Sequence, residues 1–119
     1  MEVLNEKSQL LNEMARFRGF GIAIEVRSHD HGKIGNKSSP AHVHILDSSD
    51  KEIAEIVLTI KPPQKSSDIE WYRTPNPPVG LADKIVKLAK TENKAMKKIG
   101  VVETLWQSIL RVWVTFREN

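Results

Sequence analysis

All four histidines of this 119-residue chain fall within sixteen positions, as His29-Asp30-His31 and His42-Val43-His44. Imidazole nitrogens suit zinc and other borderline divalent metals, and a carboxylate commonly completes such a ligand set. If the two pairs meet, His29, His31, His42 and His44 could hold a divalent transition metal. Asp30 is the candidate catalytic residue, since it or Asp47 could orient a ring or position a water for hydrolysis. The same positions admit a plainer chemistry. His42 and His44 could lie on the solvated face of a sheet, with His29 and His31 at a strand end bonding the loop backbone.

Placement decides between these readings. Side chains two apart on a strand share a face, so His42, His44 and Leu46 should project together while Val43 and Ile45 enter the core. Leu46 on that face implies that it is partly covered. Upstream, Phe20, Ile22, Ile24 and Val26 alternate with Gly21, Ala23, Glu25 and Arg27, a half-buried strand that delivers His29. His29 to Pro40 is a polar loop. After Leu46 the Asp47-Ser48-Ser49-Asp50 turn leads into a third strand over Lys51 to Ile60, with Ala54, Ile56, Leu58 and Ile60 on one side. So short a turn calls for an antiparallel hairpin.

The flanks read as helices and one long loop. Val3, Leu4, Leu10, Leu11, Met14 and Phe17 fall at helical spacing, predicting a leading helix over 1–18 that stops near Gly19 and Gly21. Residues 61–80 hold five of the six prolines and form a loop, with Ile69-Glu70-Trp71-Tyr72 as a short edge strand pinned by Trp71. Two helices fill 81–117. One carries Leu81, Ile85, Leu88, Ala89, Met96 and Ile99 and ends at Gly100. The other carries Val102, Leu105, Trp106, Ile109, Leu110, Trp113 and Phe116. The expected architecture is a single α+β domain over 1–119. A small antiparallel sheet of three or four strands, built on a three-stranded meander over 19–60, has the N-terminal helix and two C-terminal helices on one face.

Composition narrows the function classes. The absence of cysteine removes disulfides, thiolate metal sites and a cysteine nucleophile, and fits a reducing cytoplasm. Met1-Glu2-Val3-Leu4-Asn5-Glu6 lacks the cationic start of a secretory leader, and no apolar run is long enough for a bilayer, so a cytoplasmic location without membrane association is expected. The net charge of +3 is unevenly spread. Residues 84–98 carry six lysines against Glu92 alone, a local +5 that leaves −2 elsewhere. Lys84, Lys87, Lys90, Lys94 and Lys98, with Lys97 beside them, could follow a phosphate backbone while Trp71 or Tyr72 stacks on a base. They could equally meet an acidic protein partner, or serve only as a solvated outer face. Trp106 and Trp113, seven apart, are core residues by default, and a homodimer seam by the alternative.

Two familiar chemistries lack their residues. A histidine-triad hydrolase needs a third histidine where Leu46 stands, and a cupin site needs a histidine after His44. Neither a phosphate-cradling glycine loop nor a G-x-S-x-G elbow occurs.

The strand ending in Asp30-His31 followed by Pro40-Ala41-His42-Val43-His44 resembles the prokaryotic domain of unknown function 4160 family, whose core reads roughly Asp-His-x-Pro-Pro-His-x-His. A third strand over Glu52 to Leu58, a Leu-rich helix and a final helix beginning near Glu103-Thr104-Leu105-Trp106 extend the likeness over about residues 17 to 116. Only the histidine core is specific. Here Gly32 to Ser39 lengthens the loop, Ala41 replaces the second proline, and the leading helix and the 61–80 loop look like additions. The resemblance implies a small bacterial protein of toxin–antitoxin-like gene pairs, whose immediate business is a protein partner, with RNA beyond it. Three functions therefore stand as expectations. They are a non-enzymatic interaction module, a metal-dependent phosphodiesterase or nuclease needing at least three converging histidines, and a metal-free RNA binder.

Overall fold

The computed structural model describes residues 15–118, which form an α+β arrangement. A four-stranded antiparallel sheet in the order β1-β2-β3-β4 is followed by three helices. The strands are β1 (Arg16–Gly19), β2 (Ile22–Glu25), β3 (His42–Leu46) and β4 (Glu52–Val57). The helices are α1 (Leu81–Lys90), α2 (Lys94–Lys98) and α3 (Leu105–Glu118). A single 3-10 turn, Ser66–Asp68, interrupts the proline-rich loop.

The sheet begins earlier than the sequence pattern predicts. The expected leading helix falls mostly on residues 1–14, outside the described residues, but its end is not helical. Arg16, Phe17 and Arg18 alternate exposed, buried and exposed on β1, and the first helix among the described residues starts at Leu81. Phe17, the last residue of the helical stripe expected from the sequence, pairs with Ile24 across a hairpin. The turn is Phe20-Gly21, both at positive φ (54° and 77°), the mirror-image two-residue turn that matches strand twist. Glycine tolerates that conformation freely, whereas Phe20 occupies it at a steric cost. The strand expected to start at Phe20 therefore starts at Ile22.

One face of the sheet makes the core. Phe17, Ile24, Val43, Ile45, Ala54 and Ile56 gather with Leu81, Ile85, Leu88 and Ala89 of α1 and Trp106, Ile109, Val112 and Trp113 of α3 in one apolar cluster. Burial of this order stabilises by about 1.5–3 kcal/mol per large side chain before conformational entropy is subtracted. Trp106, 1% exposed, also donates its indole N–H to the Thr59 carbonyl at 2.8 Å, so its polar edge is satisfied inside the core. Leu58 joins the core as expected, but Ile60 is 71% exposed because regular β4 ends at Val57. The short edge segment is present in outline. Trp71 bridges Ile56, with Val57 N–H donating to Glu70 O and Tyr72 N–H to Glu55 O.

The single helix expected from Leu81 to Ile99 is two. Thr91 turns extended, and the Asn93 side chain accepts from the N–H groups of Ala95 and Met96, capping a new short helix. Glu92 pairs with Thr104 across the excursion. Ile99 and Val102, assigned to apolar stripes by spacing, are 71% and 83% exposed on its tip.

Candidate functional site

The sheet's second face is polar and covered. His42 and His44 project from it side by side, 8% and 3% exposed, with ring centroids 5.5 Å apart. Alternation along β3 aims them there because Val43 and Ile45 are committed to the core. The partly covered face expected from Leu46 is thus nearly closed.

A folded-back loop brings Asp30 onto them. Lys33 N–H donates to Ser39 O and Ala41 N–H donates to Lys33 O, pinching the chain together at Lys33 and Pro40. The Asn36 side chain accepts from the Ser38 and Ser39 N–H groups and orders the part looped outside the pinch. Gly32 is buried at the neck. A Cβ there would lie 2.0 Å from Pro40 O, so only glycine lets the strands of the neck approach. Asp30 consequently faces both rings, with Oδ2 2.8 Å from His44 Nε2 and Oδ1 3.6 Å from His42 Nε2.

The far side of each ring is also held. His42 Nδ1 lies 3.0 Å from Pro40 O, an atom that can only accept, so Nδ1 carries the hydrogen. His44 Nδ1 faces Glu52 Oε1 at 2.7 Å and Glu55 Oε1 at 3.2 Å, and donates to these carboxylates. Tyr72 stacks on His42 with ring centroids 4.4 Å apart, and the Arg73 guanidinium lies over Tyr72.

A row of alternating charges continues across the face. Glu52 pairs with Arg27 at 2.8 Å, Arg27 and Arg16 both grip Glu25, and Arg16 and Arg18 reach Asp50. Burial by itself would push the Glu25 carboxyl up. Hydrogen bonds from Arg27 and Arg16, with their charges, outweigh it and hold the group below its ordinary value. A groove of about 590 Å³ runs beside this row, lined by Arg16, Arg18, Glu25, Arg27 and His29 among others. Arg117, at the end of α3, lies against the Trp113 ring and donates to Ser28 O. Burial lowers its guanidinium's pKa, and the charge of Asp30 opposes that shift.

Of the four candidate metal-ligating histidines, two converge. His29 stands at the rim, its side chain 75% exposed and Nε2 4.0 Å from Asp30 Oδ1, while His31 is exposed outside the cluster. Asp47 is absorbed in the β3–β4 turn, where its carboxylate caps Ser49 and Lys51. Glu52 and Glu55 were not singled out in the sequence. The usable signal covered Glu55 alone, which falls opposite His44 in an antiparallel hairpin; Glu52, three positions earlier, departs from that period and comes in at the register irregularity beside Leu46. Two donor sets that could take a metal result, Asp30 with His42 and His44, and His44 with Glu52 and Glu55.

The other candidate binding residues lie apart. Trp71 packs against the core and Tyr72 is occupied by His42, so neither offers an open stacking surface. The lysine band expected along one helix is split, with Lys84, Lys87 and Lys90 on α1 and Lys94, Lys97 and Lys98 on α2, all six exposed.

The base of the 93–103 excursion carries a second polar cluster. Asn93 donates to Ser108 Oγ, the buried Ser108 hydroxyl donates to Glu103, and Arg111 pairs with Glu103 at 3.1 Å. The Arg111 hydrogen bond holds the Glu103 carboxyl below its ordinary value, against burial and with help from Ser108.

In comparisons with known proteins, no family model matches the chain, and neither a curated protein nor a solved structure does. The resemblance drawn from Asp30-His31 and Pro40-to-His44 rests on those residues alone. Among the described residues no helix is long and apolar enough to cross a membrane.

Proposed function

We propose that the chain is a non-enzymatic interaction module that acts through a protein partner, in the manner of small toxin–antitoxin-like pairs. The observation that carries this reading is the tip of the 93–103 excursion. Ile99, Val101 and Val102 are 71%, 40% and 83% exposed there, with Lys94, Lys97 and Lys98 beside them. Asn93, Ser108, Glu103 and Arg111 fix the base of that tip through a partly buried network. A fixed base under an exposed apolar tip is what a docking element needs, because little ordering entropy remains to be lost on binding. The lysines favour an acidic rim on the partner.

The test is co-purification of the untagged chain with the product of its neighbouring gene, wild type beside an Ile99→Asp/Val102→Asp variant. A complex lost in the variant, with the fold intact by circular dichroism, supports the reading. A complex that survives, or no complex in the wild type, defeats it. Co-purifying RNA whose retention falls steeply with salt would instead favour the metal-free RNA binder, through the exposed lysines.

A further inference from the structure

We infer that Asp30, His42 and His44 form a binding site for one divalent transition-metal ion of the zinc, nickel or manganese class. The inference goes beyond the docking reading and does not depend on it.

The argument begins with hydrogens. Pro40 O can only accept from His42 Nδ1, and the Glu52 and Glu55 carboxylates accept from His44 Nδ1. In that tautomer each ring turns its other nitrogen, Nε2, toward the interior of the cluster. Both Nε2 atoms face one carboxylate, at 2.8 Å and 3.6 Å from the two oxygens of Asp30. Two imidazole nitrogens and one carboxylate, converging in a site whose rings are almost wholly buried, call for positive charge among them, which one metal ion supplies to all three. Metal bonds of about 2.0–2.2 Å place neighbouring ligand atoms roughly 3–3.5 Å apart, the scale of this cluster.

The charge count points the same way. Arg16, Arg18 and Arg27 are matched by Glu25, Asp50 and Glu52. Asp30 and Glu55 remain, with imidazoles as their only ion-pair partners among the described residues. Arg117 feels the charge of Asp30 without hydrogen-bonding to it. A divalent cation would give these two carboxylates the close counter-charge that no lysine or arginine among the described residues supplies by direct pairing. The Glu52–His44 and Glu55–His44 contacts then take the place of the outer carboxylates that orient metal-bound imidazoles. Two nitrogens and one carboxylate oxygen suit borderline metals better than magnesium or calcium. His29, at the rim, is the side chain placed to add a further ligand.

The test uses untagged full-length protein, loaded with zinc, dialysed and measured by elemental analysis and by titration calorimetry. One ion per chain is expected. Asp30→Asn and His42→Gln should each weaken zinc binding by tenfold or more, and His31→Gln should leave it unchanged. Because either site variant could fail to fold, the zinc-loaded wild type is also examined by X-ray absorption. Two imidazole ligands in that spectrum, or three if His29 joins, support the site. Zinc-free protein after loading, undiminished affinity in Asp30→Asn, or a shell of oxygens alone would overturn it.

Discussion

The polar face of the sheet and the exposed side of α1 and α2 are both dense in charge, and they treat it in opposite ways. On the sheet, Arg16, Arg18 and Arg27 are each paired with acids, and His42 and His44 are buried against Asp30, Glu52 and Glu55, Glu52 being shared with Arg27. On the helices, Lys84, Lys87, Lys94 and Lys98 have no carboxylate within ion-pair distance among the described residues, and Lys97 reaches Glu92 only at 3.5 Å. Paired charge that is also buried, as at Glu25, His42 and His44, determines geometry, while Arg18 and Asp50 pair in the open. Unpaired charge in water makes a field and little structure. The first region should therefore be sensitive to single atoms, and the second only to net charge.

Substitutions can break or sharpen that contrast. The largest effect should come from Gly32→Ala, where the added carbon meets Pro40 backbone at the neck of the loop. A loss of about 3 kcal/mol in urea unfolding is expected, as for overpacking against main chain. A loss below about 0.5 kcal/mol would mean that the neck yields easily and that Asp30 is not held by it.

Glu25→Gln comes next, at about 2 kcal/mol, because two guanidiniums lose their shared carboxylate. Its pH dependence carries the sign. Glu25 and Glu103 are both held below the ordinary glutamate value of 4.5. Their contribution is thus fully present above that value and is lost as the pH falls through the lowered folded values. Wild type should lose stability more steeply than Glu25→Gln below pH 4.5, and parallel curves would contradict the pairing. The smallest effect belongs to Lys87→Glu/Lys94→Glu, within about 0.5 kcal/mol of wild type in unfolding. A larger loss would show these lysines to be structural and erase the contrast.

The sequence was most legible where one period ran undisturbed. Val43 and Ile45 against His42 and His44 gave the two faces of β3, and Asp47 to Asp50 gave the hairpin. Legibility failed where a local conformation overrode the pattern. Phe20 accepting a positive φ turned the supposed helix end into β1, and Asn93 capping a new helix cut the Leu81-to-Ile99 stripe in two. Half of the histidine cluster was readable in the same sense. His42 and His44 follow from alternation, but the arrival of Asp30 depends on a pinch between Lys33 and Pro40 that no spacing rule announces. The contribution of Glu52 and Glu55 required a strand register, which becomes visible only once the hairpin is formed.

That pinch also separates the length of the loop from its job. Residues 35–38 lie beyond the Lys33–Ser39 hydrogen bond and past Ile34, which packs on the core, so chain added there leaves the spacing between Asp30 and the two rings untouched. In evolutionary terms the segment is a place where insertions can accumulate without cost to the buried cluster. It is also the place to graft an epitope or a fluorophore while leaving both charged faces of the molecule as they are.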